Sequence, residues 1–240
     1  MLEFTALKKD RRKFLALTGL TLREFKVLLP PFTMAYQRQL ASDKTLAGRP
    51  RQRALGGGRR GVLDSMEQKL LFILVYQKTY PLQVVQGDLF GMSQAAANQW
   101  VHRLLPILQA ALTELGVMPE RQGPAFAQAE RGRPEAADYI IDGTERRRQR
   151  PKSPEKQVLH YSGKQKTHSD KNLVVVNTRS KRVGYLGPTQ PGKTHDKKMA
   201  DDEHIRYPPH TRLDKDTGFQ GYEPPGTETH QPKKSRAGKT

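Results

Sequence analysis

The 240-residue chain contains no cysteine. Disulfides, thiolate metal sites and cysteine nucleophiles are therefore excluded, and any bound metal must take oxygen or imidazole ligands, which suits a hard cation. Long apolar runs are missing as well. The longest, at residues 70–76, holds seven residues, against the roughly 20 that a membrane-spanning helix needs. The first twenty residues have no unbroken apolar segment of the signal-peptide kind. The expectation is a cytoplasmic protein with no membrane partner. Acidic residues are the third shortage, with 24 Asp and Glu against 42 Lys and Arg and a formal net charge of +18. Such an excess of cations attracts polyanions, and nucleic acid is the commonest one in the cytoplasm. Charge alone does not separate DNA from RNA, or a binder from an enzyme.

The length allows two domains of about 100 residues each, and a hydrophobic content of 35% allows each a core. Residues 3–17 form a helix candidate rich in Lys and Arg, broken at Thr18-Gly19. Thr21 then caps a helix with Leu22, Phe25, Leu28 and Leu29 at helical spacing, which Pro30-Pro31 should end or kink. Residues 47–61 hold five arginines and five glycines and fit no regular element. They read as a basic loop that lays Arg49, Arg51, Arg53, Arg59 and Arg60 along phosphates, or else as a solvated linker. Asp64 and Glu67 make a capping box for a helix that turns Met66, Leu70, Ile73 and Leu74 inward and stops at Pro81.

A short helix over 82–90, a tight turn at Gly91-Met92 and a longer helix capped by Ser93 give a helix-turn-helix within about 62–116. On its last helix Ala97, Val101, Leu104 and Leu108 share one stripe, with Trp100 at its border taken as core. Asn98, Gln99, His102 and Arg103 share the other side, and these are residue types that reach base edges and phosphates in a major groove. An ordinary helical bundle with a polar face would show the same pattern. Pro106 should kink or restart the helix.

Periodicity fades over 115–133, which puts a domain boundary after a head of residues 1–122, with a linker over 123–136. The second domain opens at 137–145 with a strand whose apolar run ends on Asp142 and turns on Gly143. Residues 172–177 and 182–189, joined by a turn, form a hairpin. Thr194 caps a helix that starts at His195, and 211–216 is a further strand. A hairpin followed by a helical crossover can lay that strand parallel to the first, so that Asp142 and Asp216 meet at one edge of a mixed sheet. Paired carboxylates of this kind suit phosphoryl chemistry with two divalent ions about 4 Å apart, which stabilise the attacking and leaving oxygens. An Asp before a Gly is also an ordinary turn residue. Asp214 lies on the same face as Asp216, and periodicity does not rank the two. Arg146, Arg147, Arg148, Arg150, Lys164 and Lys166 could hold a DNA backbone beside the acids, or form a solvated charge run. His168 and His195 are accessory candidates for metal or phosphate, against the commoner structural role of a lone histidine.

Four blocks then resemble the transposases of bacterial insertion sequences, specifically the insertion sequence five family. They are Asp142-Gly-Thr-Glu-Arg-Arg147, Tyr161-Ser-Gly-Lys-Gln-Lys-Thr-His168, Pro191-Gly-Lys-Thr-His-Asp-Lys-Lys198 and Asp216-Thr-Gly-Phe-Gln-Gly-Tyr222. The resemblance implies an α+β protein of two domains: an all-α helix-turn-helix head and an α/β ribonuclease-H-like domain over 137–222 with an Asp, Asp, Glu triad. It puts the first acid on Asp142 and the second on Asp216, ahead of Asp214, as ligands of two Mg²⁺ or Mn²⁺ ions. It further implies binding to double-stranded element ends and target DNA, strand cleavage and transfer, homo-oligomeric assembly when complete, and a bacterial, nucleoid-associated location. In that family the third acid lies well beyond the Gly-Phe-Gln-Gly-Tyr block. Glu223 and Glu228 stand too close to it, in residues 223–240 that read as a disordered tail. The expectation is an incomplete domain, truncated or frameshifted and inactive alone. The alternative is a non-catalytic DNA-binding product that occupies element ends.

Overall fold

The computed structural model describes residues 1–41, 61–132 and 138–232, in two compact units, Met1–Val117 and Met118–Thr240. Arg49, Arg51, Arg53, Arg59 and Arg60 lie outside the described residues, as do 133–137 and 233–240.

The first unit is helical throughout its described residues. Its basic opening segment forms two helices, α1 (Phe4–Leu7) and α2 (Arg11–Thr18). They divide because Asp10 caps α2, its carboxylate accepting from Lys13 N at 3.0 Å, a bond that satisfies a helix-end donor and contributes about 1 kcal/mol. Helix α3 (Leu22–Ala41) starts on the capping box of Thr21 and Glu24. The two prolines do not end it: α3 runs through Pro30 and Pro31. An interior proline costs about 3 kcal/mol, which burial of Pro31, Phe32, Ala35 and Tyr36, with α3 packed on α6 (Gln94–Glu114), offsets. Pro106 likewise lies inside an unbroken α6.

Helix α4 (Met66–Thr79) is capped by Ser65, which accepts from Gln68 N at 3.0 Å, and not by Asp64 as the sequence pattern suggested. It is buried on every side, with Leu70, Leu71, Phe72, Ile73 and Val75 all inaccessible to solvent. Such a helix belongs at the centre of a unit. Its buried Gln68 is satisfied from outside the helix, accepting from Phe4 N at 2.9 Å and donating to Leu2 O at 2.7 Å. Helix α5 (Gln83–Phe90) closes on Gly91, whose φ of +66° is one that a side chain rarely tolerates. Ser93 then caps α6 by accepting from Ala96 N. Ala97, Val101, Leu104 and Leu108 are buried on α6, as the spacing predicts, and Trp100 packs half-buried against this core.

The second unit is a mixed sheet with helices. After α7 (Phe126–Ala129) come β1 (Asp138–Arg147), α8 (Pro154–His160), β2 (Tyr161–Ser162), β3 (Thr167–Asn177), β4 (Val183–Leu186), β5 (Gln190–Pro191), α9 (Asp196–Asp202), β6 (Thr211–Lys215) and β7 (Thr227–His230). The order is β2-β3-β1-β6-β7, with β4 and β5 also on β3. Strands β1 and β3 are antiparallel, whereas β6 lies parallel to both β1 and β7. The β3–β4 hairpin and helical crossover do lay β6 parallel to β1. Residues 227–230 depart from the expected tail, because they pair with the outer edge of β6 as β7. Helix α9 starts one residue later than the sequence suggested, with His195 and not Thr194 at its N-cap.

Side chains alternate along β1, so Tyr139 and Ile141 enter the core while Ile140 and Asp142 face out. Phe126, Leu173, Val175, Tyr185, Met199, Leu213 and Phe219 complete the apolar interior.

Candidate functional site

Parallel strands deliver their carboxyl ends to the same edge, and here that edge carries the two acids. The β1–β6 register pairs Ile140 with Asp214 and Ile141 with Lys215. Asp142 is the next residue of β1 and Asp216 the first residue after β6, both exposed. At this point β6 ends in a short turn while β1 continues against β3. Each acid fixes itself to the backbone that follows it, and β1 does not turn on Gly143, as the sequence suggested, but runs on to Arg147 with Gly143 opposite Leu173. Asp142 Oδ1 accepts from Gly143 N at 2.7 Å, and Asp216 Oδ1 accepts from Gly218 N at 2.8 Å. Asp142 Oδ2 and Asp216 Oδ2 have no protein partner among the described residues. Asp214 stands one step back on the same face, beside Ile140, and pairs with Arg212 at 3.5 Å.

This donor set fits a hard divalent cation. Mg²⁺ is commonly held by one or two carboxylates and completes its shell with water and substrate phosphate. Among the described residues no group of three His, Asp or Glu side chains stands ready to hold a metal by itself. Glu223 is engaged elsewhere: it takes the ammonium of the buried Lys215 at 2.5 Å and the Thr229 hydroxyl, which keep its carboxyl below the usual range.

On the opposite, inner face the apolar core gives way to buried charge. Glu145 on β1 faces Lys171 on β3. Lys171 Nζ lies 3.3 Å from Glu145 Oε1, 2.9 Å from Asp196 Oδ1 and 3.2 Å from Thr194 O. Burial pushes the Glu145 carboxyl up, but hydrogen bonds from Ser162 and Ser169 and the Lys171 charge outweigh it and leave its pKa lowered. None of these three charged groups was singled out from the sequence. The available signal was period-two alternation, which turns Glu145 and Lys171 inward on strands that otherwise face the core.

The cations near the acids divide into two groups. Arg146 donates to Asn172 Oδ1 at 2.8 Å, Arg148 pairs with Asp170 at 2.9 Å, and Arg150 donates to Gln157 Oε1. Arg147, Lys164 and Lys166 are exposed and make no side-chain bond among the described residues. His168 sits edge-on to Tyr161 with ring centroids 5.6 Å apart, and His195 is exposed at the N-cap of α9.

In the head, the four polar residues of α6 are not equivalent. Gln99 and His102 are exposed, while Asn98 is half-buried. Arg103 lays its guanidinium over Trp100 at 5.1 Å and Tyr36 at 5.3 Å, so it braces α6 against α3. The same rings take Lys69, whose pKa is lowered by burial, with Asp64 opposing and Arg103 adding to the effect. A groove of about 550 Å³ between α2 and α3 is lined by Arg11, Arg12, Arg23 and Lys26 and by no acid, a basic surface that the sequence reading did not single out.

Residues 62–114 match a family described as the helix-turn-helix of DDE superfamily endonuclease, and residues 141–237 match the family DDE superfamily endonuclease. No curated protein and no solved structure matches the chain. No helix among the described residues is long and apolar enough to cross a membrane. The helix-turn-helix match begins just before α4 and ends with α6, and the endonuclease match begins on Ile141, one residue before the first acid. Together the two matches support a DDE-superfamily endonuclease of transposase type, with a DNA-binding helix-turn-helix ahead of its sheet domain.

Proposed function

We propose that this chain acts on insertion-element DNA, the head binding element ends and Asp142 and Asp216 holding the divalent ions of strand cleavage and transfer. One observation carries the reading: the two acids directly follow the last paired residues of the parallel strands β1 and β6, Ile141 and Lys215, at one sheet edge and on one face, each with one oxygen fixed by a backbone N–H and the other available. The strand order β4-β3-β1-β6-β7 supports a ribonuclease-H-like domain, since three antiparallel strands are followed, after a helix, by two parallel ones.

DDE endonucleases typically use divalent ions, and such ions polarise the scissile phosphate and stabilise the attacking and leaving oxygens when bound. The chain's own groups do the rest. Asp142 and Asp216 are oriented by the backbone N–H groups they accept from, and Arg147, Lys164 and Lys166 neutralise neighbouring phosphates without carrying sequence information. Gln99 and His102 meet base edges. A second reading, a non-catalytic protein that occupies element ends, draws on the missing group of three ligands among the described residues.

The test uses the purified chain with Mn²⁺ and DNA carrying element ends. Mn²⁺ binding that is lost in Asp142→Ala and in Asp216→Ala supports the metal-ligand reading, and nicking lost in the same variants makes the chain the endonuclease. DNA binding with no nicking favours the second reading. Retention of full Mn²⁺ binding in both variants would sink the assignment of the two acids.

A further inference from the structure

We infer that Asp196 is a positioning residue whose carboxylate, held by Lys171, is wedged between Gly143 of β1 and Gly218 of the turn after β6 and sets the spacing of the two backbone segments that carry Asp142 and Asp216. The inference rests on the reading of those two acids as metal ligands.

The geometry is specific. A Cβ at Gly143 would lie 2.5 Å from Asp196 Oδ1 and 3.1 Å from its Cγ. A Cβ at Gly218 would lie 2.8 Å from Asp196 Oδ2 and 3.0 Å from Asp216 Oδ1. One carboxylate therefore packs an oxygen against each glycine, leaving room that no Cβ could share. Both glycines are required here by space, because neither has a positive φ. Asp142 and Asp216 face outward, whereas Asp196 approaches the neighbouring glycines from the inner side, where Lys171 lies.

The wedge is also anchored. Lys171 Nζ donates to Asp196 Oδ1 at 2.9 Å and to Thr194 O at 3.2 Å, and the Lys171 and Asp196 side chains are 8% and 17% exposed. An ion pair this buried contributes little net stability over a well-packed apolar replacement. A fixed carboxylate between strand β1 and the turn after β6, by contrast, sets their spacing, and metal ligands depend on such outer partners for their orientation. Gly143, Lys171, Asp196 and Gly218 come from four separate segments, so only the fold joins them.

The experiment follows the full chain by amide hydrogen exchange without metal, and separately by the spectroscopic signal of free Mn²⁺. In Asp196→Ala the Gly143 and Gly218 amides should exchange about tenfold faster or more, while the Ile141 and Val175 amides inside the sheet stay protected. Asp196→Asn keeps the shape and loses only the charge that Lys171 holds, so it should give a smaller rise. Mn²⁺ should bind Asp196→Ala about 10-fold to 100-fold more weakly than the unaltered chain. Gly218→Ala, whose methyl pushes the same carboxylate, should speed exchange at Gly143 on β1, and it decides the matter should Asp196→Ala fail to fold. A folded Asp196→Ala with unchanged exchange at both glycines overturns the inference, as does a Gly218→Ala that leaves Gly143 unmoved. If the unaltered chain binds no Mn²⁺, the metal-ligand reading fails, and the exchange measurements still decide whether the wedge exists.

Discussion

The two units bury different things. In the head, α4 is enclosed by apolar side chains, and the buried amides of Gln68 on α4 and Gln86 on α5 donate to backbone carbonyls. In the sheet unit, the interior is apolar around Tyr139, Ile141 and Leu213, then turns ionic at Glu145, Lys171 and Asp196 beneath the two acids. Apolar burial stabilises without direction, roughly in proportion to area. Buried charge does the reverse: it adds little net stability and fixes geometry strictly. The head is thus built to hold a surface helix rigid, and the sheet unit to hold a small number of atoms in place.

The contrast can be broken most strongly in the head. Phe72→Ala should cost about 4 kcal/mol through the cavity left in α4's surroundings, lowering the head's thermal transition and leaving Mn²⁺ binding by the sheet unit unchanged. Lys171→Met in the sheet unit should cost about 3 kcal/mol by stranding two buried carboxylates, and chemical denaturation checks both values. Adding Glu145→Gln and Asp196→Asn to Lys171→Met should recover most of that loss while Mn²⁺ binding stays weak, since stability returns and geometry does not.

Two smaller effects sharpen the comparison. Replacing Gln99 and His102 by alanine should reduce discrimination between element ends and random DNA by about 1–3 kcal/mol for each lost base contact, as read by competition binding at fixed salt. Arg103→Ala should instead lower head stability, because Arg103 is stacked on Tyr36 and Trp100. The smallest concerns Glu203, whose carboxyl burial pushes up to about 6, with a hydrogen bond from Tyr185 opposing. The folded state then binds this proton more tightly than the unfolded one. Stability should fall by roughly 1–2 kcal/mol as pH rises from about 4.5 to about 6, and Glu203→Gln should flatten the curve over that window.

Much of this was legible in the sequence where the cause is local. The alternation of Tyr139, Ile141 and Asp142, the β-branched run in β3 and the Ser93 cap each act over a few residues, and the strands and the helix-turn-helix followed from them. Asp142 and Asp216 come together because the connection between their strands is long enough for a crossover, and this too can be read from spacing. The prolines of α3 and α6 misled because tertiary burial outweighed a local penalty. Strand β7 was missed because Thr227–His230 has no apolar pattern, and its order comes from the edge of β6. The Lys171 and Asp196 cluster was invisible for a different reason, since its members meet only once β1, β3 and α9 are assembled.

The wedge at Asp196 carries a consequence for how such a chain can change. Gly143 and Gly218 are far apart in sequence, yet neither can accept a side chain while Asp196 keeps its place. Among relatives of this chain the three positions should therefore vary as one unit. A larger residue at either glycine should coincide with a smaller one at 196, and the lysine at 171 should be released from its constraint in the same lineages.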